Sequence, residues 1–482
     1  MSIQSAWQQT FDFLPQHPVV LEPMEAHLSS DAGLLPIRQF DERIGLTRQF
    51  AVALDDPRDA NRIDHSVLAM TRARIYGILA GYEDQNDHDH LRADPVFKLV
   101  ADRLPTDADL ASQPTLSRFE NDVAIPALRR LKALLIDQFI TSFAQPPRRL
   151  TIDLDAVDDP AHGQQQLVLF HGFYEQYQYF PLVITSADTD QVLMLRLRHG
   201  TAHAAHMADE DLEYLVTRLR QAWPDVELFI RGDAGFGVPW MYAVCERLGL
   251  FYTFGLSTNN VLKAQSEALL AQAVAQFEAT GTPQRCFTGF WYQAKEWPQP
   301  RWVVVKAEAH AQGTNRRCIV TNRPGARVLP EAAYDDYVQR GESENRNKEL
   351  KVDLHMDRLS DHRFLANQFR LYLHAAALNL LVRLRREIAD PPPPDPSAAL
   401  PREALMGADR RRAQRLRRQR DPLGEGQPCT WRLLLIKVAA AVEVSTRRVW
   451  VRLSSRWPYL DYFRQLAAHV AARPAVPHLW SG

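Results

Sequence analysis

The chain has 482 residues, enough for roughly three domains. Hydrophobic residues make up 46% and charged residues 24%, as in an ordinary folded protein. The formal net charge of -1 excludes a protein that grips nucleic acid by bulk positive charge, so any such contact must come from local basic patches.

Residues 1–146 read mostly as helix. Apolar residues recur at helical spacing in DHSVLAMTRARIYGILAGYED and again in PALRRLKALLIDQFITSFA. Charges of both signs run through this region, which reads either as a solvated helical bundle or as a DNA-contacting one. The pattern changes near residue 147. RRLTIDLDAVDD alternates as a strand does. FPLVITSA and QVLMLRLRHG, split by the turn DTD, predict a hairpin. A helix over DEDLEYLVTRLRQAW, a buried strand at VELFI, a helix at PWMYAVCERLG and a strand at LFYTFGLS complete residues 147–256. Strands first, then alternating helix and strand, predict a mixed α/β sheet with helices packed on it.

Residues 257–316 break the rhythm and carry the Trp-rich patch FWYQAKEWPQPRW, so they read as a strand-rich insertion. Residues 317–390 resume with the short strand CIVTN and two long helical segments. Residues 391–482 open with the stiff linker PPPPDP, continue with the Arg-rich run ADRRRAQRLRRQR and end in WRLLLIKVAAAVEVSTRRVWVRL, which reads as a small helical unit. The four cysteines form no CxxC pair, which argues against a disulfide framework or a structural zinc site. The opening residues have neither a basic nor an apolar leader segment, and no apolar run approaches the about 18–20 residues of a membrane span. A cytoplasmic protein with no membrane partner is expected.

Three acidic positions stand out. Asp153 and Asp155 share one face of the first strand, and the neighbouring Asp158 and Asp159 add two further acids. Strand geometry does not choose among them. Asp233 follows VELFI in a glycine-rich turn, at a sheet edge suited to a site. The third lies in a Y-(2)-R-(3)-E-(6)-K spacing formed by Tyr337, Arg340, Glu344 and Lys351. On one continuous helix these four fall within about a 60° arc, with Glu342 and Glu349 on the opposite side. Gly341 weakens that helix locally. Three carboxylates repel one another unless a hard cation joins them, and oxygen-rich sites suit Mg²⁺. Arg340 and Lys351 beside Glu344 are suited to phosphate oxygens. His199, His203 and His206 cluster but read as a polar loop.

The Y-R-E-K spacing resembles the signature of bacterial insertion-sequence DDE transposases. More closely, the chain resembles the insertion sequence 1380 family, through FDERIGLT (40–47), RARIYGILAGYEDQNDHDHLRADP (72–95), TLSRFEN (115–121), LDAVDDPAHGQQ (154–165), RGDAGF (231–236) and FLANQFRLYLHAAALNLL (364–381). Val157 stands where relatives usually carry Thr. The resemblance implies a ribonuclease-H-like catalytic core with an insertion, flanked by helical N-terminal and C-terminal regions. It implies catalytic and metal-binding roles for Asp155, Asp233 and Glu344, with two Mg²⁺ or Mn²⁺ ions per site. It also implies DNA contacts from Tyr337, Arg340 and Lys351, and a flipped base on a Trp of the insertion, Trp297 or Trp291. The expected partners are double-stranded DNA with terminal inverted repeats, recognised through the N-terminal helices and the basic C-terminal part, and target DNA, met by a homodimer. A structure-specific nuclease of the same fold and an inactive DNA-binding repressor are the rival readings.

Overall fold

The computed structural model describes residues 8–14, 16–59, 63–388 and 426–472. The PPPPDP linker and the Arg-rich run lie outside the described residues. The chain opens with short strands β1 (Gln9–Phe11), β2 (Val19–Leu21) and β3 (His27–Ser29). Seven helices follow: α1 (Leu34–Ile44), α2 (Leu46–Leu54), α3 (Val67–Ala80), α4 (His88–Leu91), α5 (Pro95–Val100), α6 (Gln113–Asn121) and α7 (Ile125–Ile140). Local chemistry sets their ends. Ser66 caps α3 by accepting from the Ala69 amide, and Asp94 caps α5 ahead of its N1 proline.

The central sheet begins at β4 (Arg149–Ala156). It continues through β8 (Leu182–Ser186), β9 (Val192–Arg196), α8 (Ala208–Ala222), β10 (Glu227–Gly232), α9 (Pro239–Arg247) and β11 (Phe251–Leu256). Between β4 and β8, the short strands β5 (Asp159–Pro160), β6 (Leu169–His171) and β7 (Gln176–Tyr179) form a separate small sheet. In the large sheet β4, β10 and β11 are parallel neighbours, while β8 and β9 add antiparallel on the other side of β4. This mixed order, with helices on its faces, is the expected mixed α/β arrangement. The DTD turn between β8 and β9 falls where the sequence puts it.

Residues 257–316 contain more helix than their sequence suggests. α10 (Asn260–Gln265) and α11 (Glu267–Thr280) precede β12 (Gln284–Tyr292) and β13 (Arg301–His310). These strands do not form a free-standing sheet. With β14 (Gly313–Thr321) they extend the central sheet past β11, giving eight strands in the order β12-β13-β14-β11-β10-β4-β8-β9.

The segment after β14 differs from the single helix that the Y-R-E-K spacing assumes. α12 (Pro330–Val338) ends in a turn at Gln339 and Arg340, just before Gly341, and α13 (Gly341–Lys348) restarts the helix. Glu349–Asp353 then wind as a π-helix. The wider turn changes the rotation per residue, so Lys351 leaves the face that it would share with Glu344 on a regular helix.

α14 (Phe364–Ile388) is buried almost all round, as a helix surrounded by other elements must be. It packs against α3, α6, α7 and β9. Its Arg370 completes a buried network in which Glu120 receives Arg74 at 2.5 Å, Arg370 at 2.6 Å and Gln85 at 2.5 Å. Burial opposes ionisation of Glu120, but the two guanidinium groups prevail and hold its carboxyl down at about 2. The RARIY, TLSRFEN and FLANQFR stretches therefore meet in the interior as ion-pair partners.

The C-terminal segment corrects the expected helical unit. Residues 431–436 are helical, but β15 (Ala440–Val444) and β16 (Val449–Leu453) form a hairpin that pairs with β3, and only Leu460–Ala472 returns to helix. Alternating valines at 442, 444, 449 and 451 carry a strand period that the preceding Leu-rich run conceals. One apolar core joins the N-terminal helices, α14 and this C-terminal unit, and a second fills the sheet against α8 and α9. Among the described residues, no helix is long and apolar enough to cross a membrane.

Candidate active site

The site begins with register. β4 and β10 run parallel, with Leu154 opposite Gly232. Asp155 comes one position later on β4, and Asp233 comes just past the end of β10. Neighbouring strands lie about 4.8 Å apart, so the two acids emerge side by side at the same sheet edge. Asp233 then caps a short turn, its Oδ1 accepting from the Gly235 amide at 2.8 Å. Gly255 on β11 permits this packing. A Cβ there would lie 2.7 Å from the Ala234 nitrogen and 2.8 Å from the Tyr337 hydroxyl.

Asp153 is separated from Asp155 by its partner. Arg231 donates to both Asp153 carboxylate oxygens, at 2.6 and 2.8 Å, and Asp153 is fully buried. Its bonding capacity is committed inside the protein. Asp158 pairs instead with Lys351, at 2.8 Å. Asp159 is buried with neither carboxylate oxygen hydrogen-bonded, and burial beside Asp357 pushes it well above the usual carboxylate range.

Asp155 has a different environment. Asn347 donates to its Oδ2 at 2.8 Å, Ser343 lies at 3.5 Å and the Arg340 guanidinium at 3.6 Å. Burial pushes its carboxyl up to about 6; Arg340 opposes this, while Asp233 and Glu344 reinforce it. Glu344 is largely exposed and takes a 2.8 Å ion pair from Arg340, which thus spans two acids of the expected set. Tyr337 stands beside Arg340, and burial raises its phenol, with Arg340 opposing the shift and Asp233 adding to it.

The four signature residues are therefore not equivalent. Tyr337, Arg340 and Glu344 gather at Asp155 and Asp233, whereas Lys351 faces Asp158, one loop away. Glu342 and Glu349 point elsewhere, Glu342 to Asn345 and the buried Glu349 to Arg346. Three further side chains belong to the site. Asn347 lies one turn beyond Glu344 on α13, a spacing visible in the sequence. Ser343 and Tyr174 had no such signal. Tyr174, from the β6–β7 turn, is raised first by burial and then by Asp158, Asp233 and Asp155.

The insertion tryptophans divide. Trp297 is buried, its ring against Tyr242 at 5.2 Å and Tyr292 at 5.5 Å, so it is core rather than a surface for a base. Trp291 is half exposed beside Arg327. His203 packs on Trp240 and His199 on His206 in a loop. Among the described residues, no group of three or more His, Cys, Asp and Glu is set to hold a metal. Asp155 and Asp233 nonetheless have the chemistry a hard cation needs, carboxylate oxygens near one another, and the Asp155 carboxyl is raised first by burial and further by the Asp233 charge. Glu344 has the same chemistry but is held by Arg340.

The family described as "Transposase DDE domain group 1" matches residues 12–391. No curated protein sequence matches the chain. A cryo-EM structure of a piggyBac transposase synaptic complex with hairpin DNA is 15% identical over 94% of this chain and 87% of that one, with a TM-score of 0.36.

Proposed function

The chain belongs to the DDE transposase domain group 1 family, and from that premise we propose that it cuts DNA at the ends of a mobile element and transfers the freed 3′-hydroxyls to target DNA. The observation that carries this reading is that Asp155 and Asp233 come directly after Leu154 and Gly232, which pair on adjacent parallel strands. Asp155 and Asp233, joined by Glu344, would hold two Mg²⁺ or Mn²⁺ ions. When bound, such ions make water or a 3′-hydroxyl a competent nucleophile and stabilise the leaving oxygen.

The chain's own residues supply the rest. Arg340 sits where an incoming phosphate would meet it. An anion there competes with Asp155 and Glu344 for the same guanidinium, so phosphate binding would free Glu344 from Arg340. Tyr337 lines the approach, and Asn347 orients Asp155. Lys351, beside Asp158, suits a phosphate further along the strand. We also propose that the chain carries a Y-R-E-K signature and is a member of the insertion sequence 1380 family; the gathering of Tyr337, Arg340 and Glu344 supports this, while Lys351 stands apart on Asp158. We further assign DNA carrying terminal inverted repeats, target DNA and a homodimeric assembly as partners.

The test is strand transfer from pre-cut element ends in Mg²⁺. Joined product is expected, and it disappears in Asp155→Asn and Asp233→Asn. Cleavage without joining would identify a nuclease instead. End binding with neither reaction would identify a repressor.

A further inference from the structure

The β15–β16 hairpin lies beyond residues 12–391, which match the family, and one of its faces has a distinct chemistry. β16 is an edge strand of the sheet β16-β15-β3. Val449, Val451 and Leu453 turn inward and pack on the core. The strand period of two turns Trp450 and Arg452 outward, and Arg448 continues their row. Trp450 is 47% exposed. Its ring lies 5.9 Å from the Arg448 guanidinium and 6.0 Å from that of Arg452. Arg447 and Arg456 are exposed at either end of the row. Across the ladder Trp450 faces Glu443, which pairs with Arg452. Among these residues four are arginines and one is an acid, a concentrated positive surface on a chain of net charge -1.

Here an indole stands open between two guanidinium groups. That combination offers cations to a phosphate backbone and an aromatic face to a base. We infer that the outer face of β16 is a DNA-contact surface separate from the catalytic acids, with Arg448 and Arg452 on phosphates and Trp450 against a base or sugar. The choice of DNA over another polyanion rests on the function proposed above. The β16 face would hold DNA without reading its sequence, since phosphate contacts carry none.

The experiment uses the full chain and measures fluorescence anisotropy without divalent ions, so that binding is read apart from cleavage. The probes are a short duplex of arbitrary sequence and an oligothymidylate of the same length, across about 50 to 200 mM salt. For Arg448→Ala/Arg452→Ala, the slope of log affinity against log salt is expected to become shallower by roughly one per arginine on the duplex. Arg448→Lys/Arg452→Lys is expected to restore it. Trp450→Ala is expected to weaken oligothymidylate binding by at least about fivefold. Unchanged affinity and slope in these variants overturn the inference. So does a shift in sedimentation of the DNA-free variants with DNA binding unchanged, which would give the edge strand to a second copy of the chain. A parent that binds neither probe also overturns it. A parent that binds as expected but never cuts DNA refutes the proposed function and leaves the β16 result standing.

Discussion

Arg231 grips Asp153 through both carboxylate oxygens, at 2.6 and 2.8 Å, two residues before Asp155 on the same strand face. Two acids that look alike in the sequence are thereby given different work. One is spent inside the protein, and the other is left with an amide, a hydroxyl and a distant guanidinium.

Substitution should separate them. Asp153→Ala strands the buried Arg231 and is expected to cost about 3–5 kcal/mol of stability, read by urea denaturation. Asp155→Asn should fold normally and lose at least about a hundredfold in DNA cleavage rate. Full activity in a well-folded Asp155→Asn protein would remove Asp155 from the site.

The raised Asp155 carboxyl has a pH signature. In the folded protein without metal it holds a proton up to about 6, whereas the unfolded chain releases it near 3.8. The native state thus binds more protons in that window, and stability falls as pH rises through it. Asp155→Asn escapes this cost, so its melting temperature should exceed the parent's at neutral pH and converge with it at about pH 4. Metal needs the ionised form, so Mn²⁺ affinity should fall about tenfold per unit below pH 6. Parallel melting curves for the two proteins across this range would contradict the assignment.

Asn347 positions Asp155 without being an acid itself. Asn347→Ala should weaken Mn²⁺ binding by about 10- to 100-fold, the usual effect of removing a residue that orients a metal ligand. Saturating metal should restore most of the cleavage rate, and Asn347→Asp should not reproduce the wild-type pH profile. A loss that metal does not rescue would mean that Asn347 acts on DNA directly.

The two insertion tryptophans should also part company. Trp297→Ala removes a ring packed between Tyr242 and Tyr292 and is expected to cost about 3–5 kcal/mol. Trp291→Ala, at a half-exposed position, should stay within about 1 kcal/mol of the parent. Equal melting temperatures for the two variants would refute the buried placement of Trp297.

Much of this protein could be read from residue order. Strand alternation marks β4, the DTD turn marks the β8–β9 hairpin, and the apolar run VELFI marks β10, because these signals depend on neighbours a few positions apart. The glycine-rich turn after β10 likewise points to Asp233, and the Y-R-E spacing brings Tyr337, Arg340 and Glu344 to one place. Contacts between distant segments are a different matter. Asp153 and Asp155 are distinguished by Arg231, 78 residues after Asp153. Lys351 reaches Asp158 because a break before Gly341 and a π-helix reset the rotation that a regular helix would impose. The strands after α11 join the central sheet through β14, and the valines of β15 and β16 become a sheet by pairing with β3. A short segment encodes its own period, but its hydrogen-bond and charge partners are fixed only when the whole chain has closed around it.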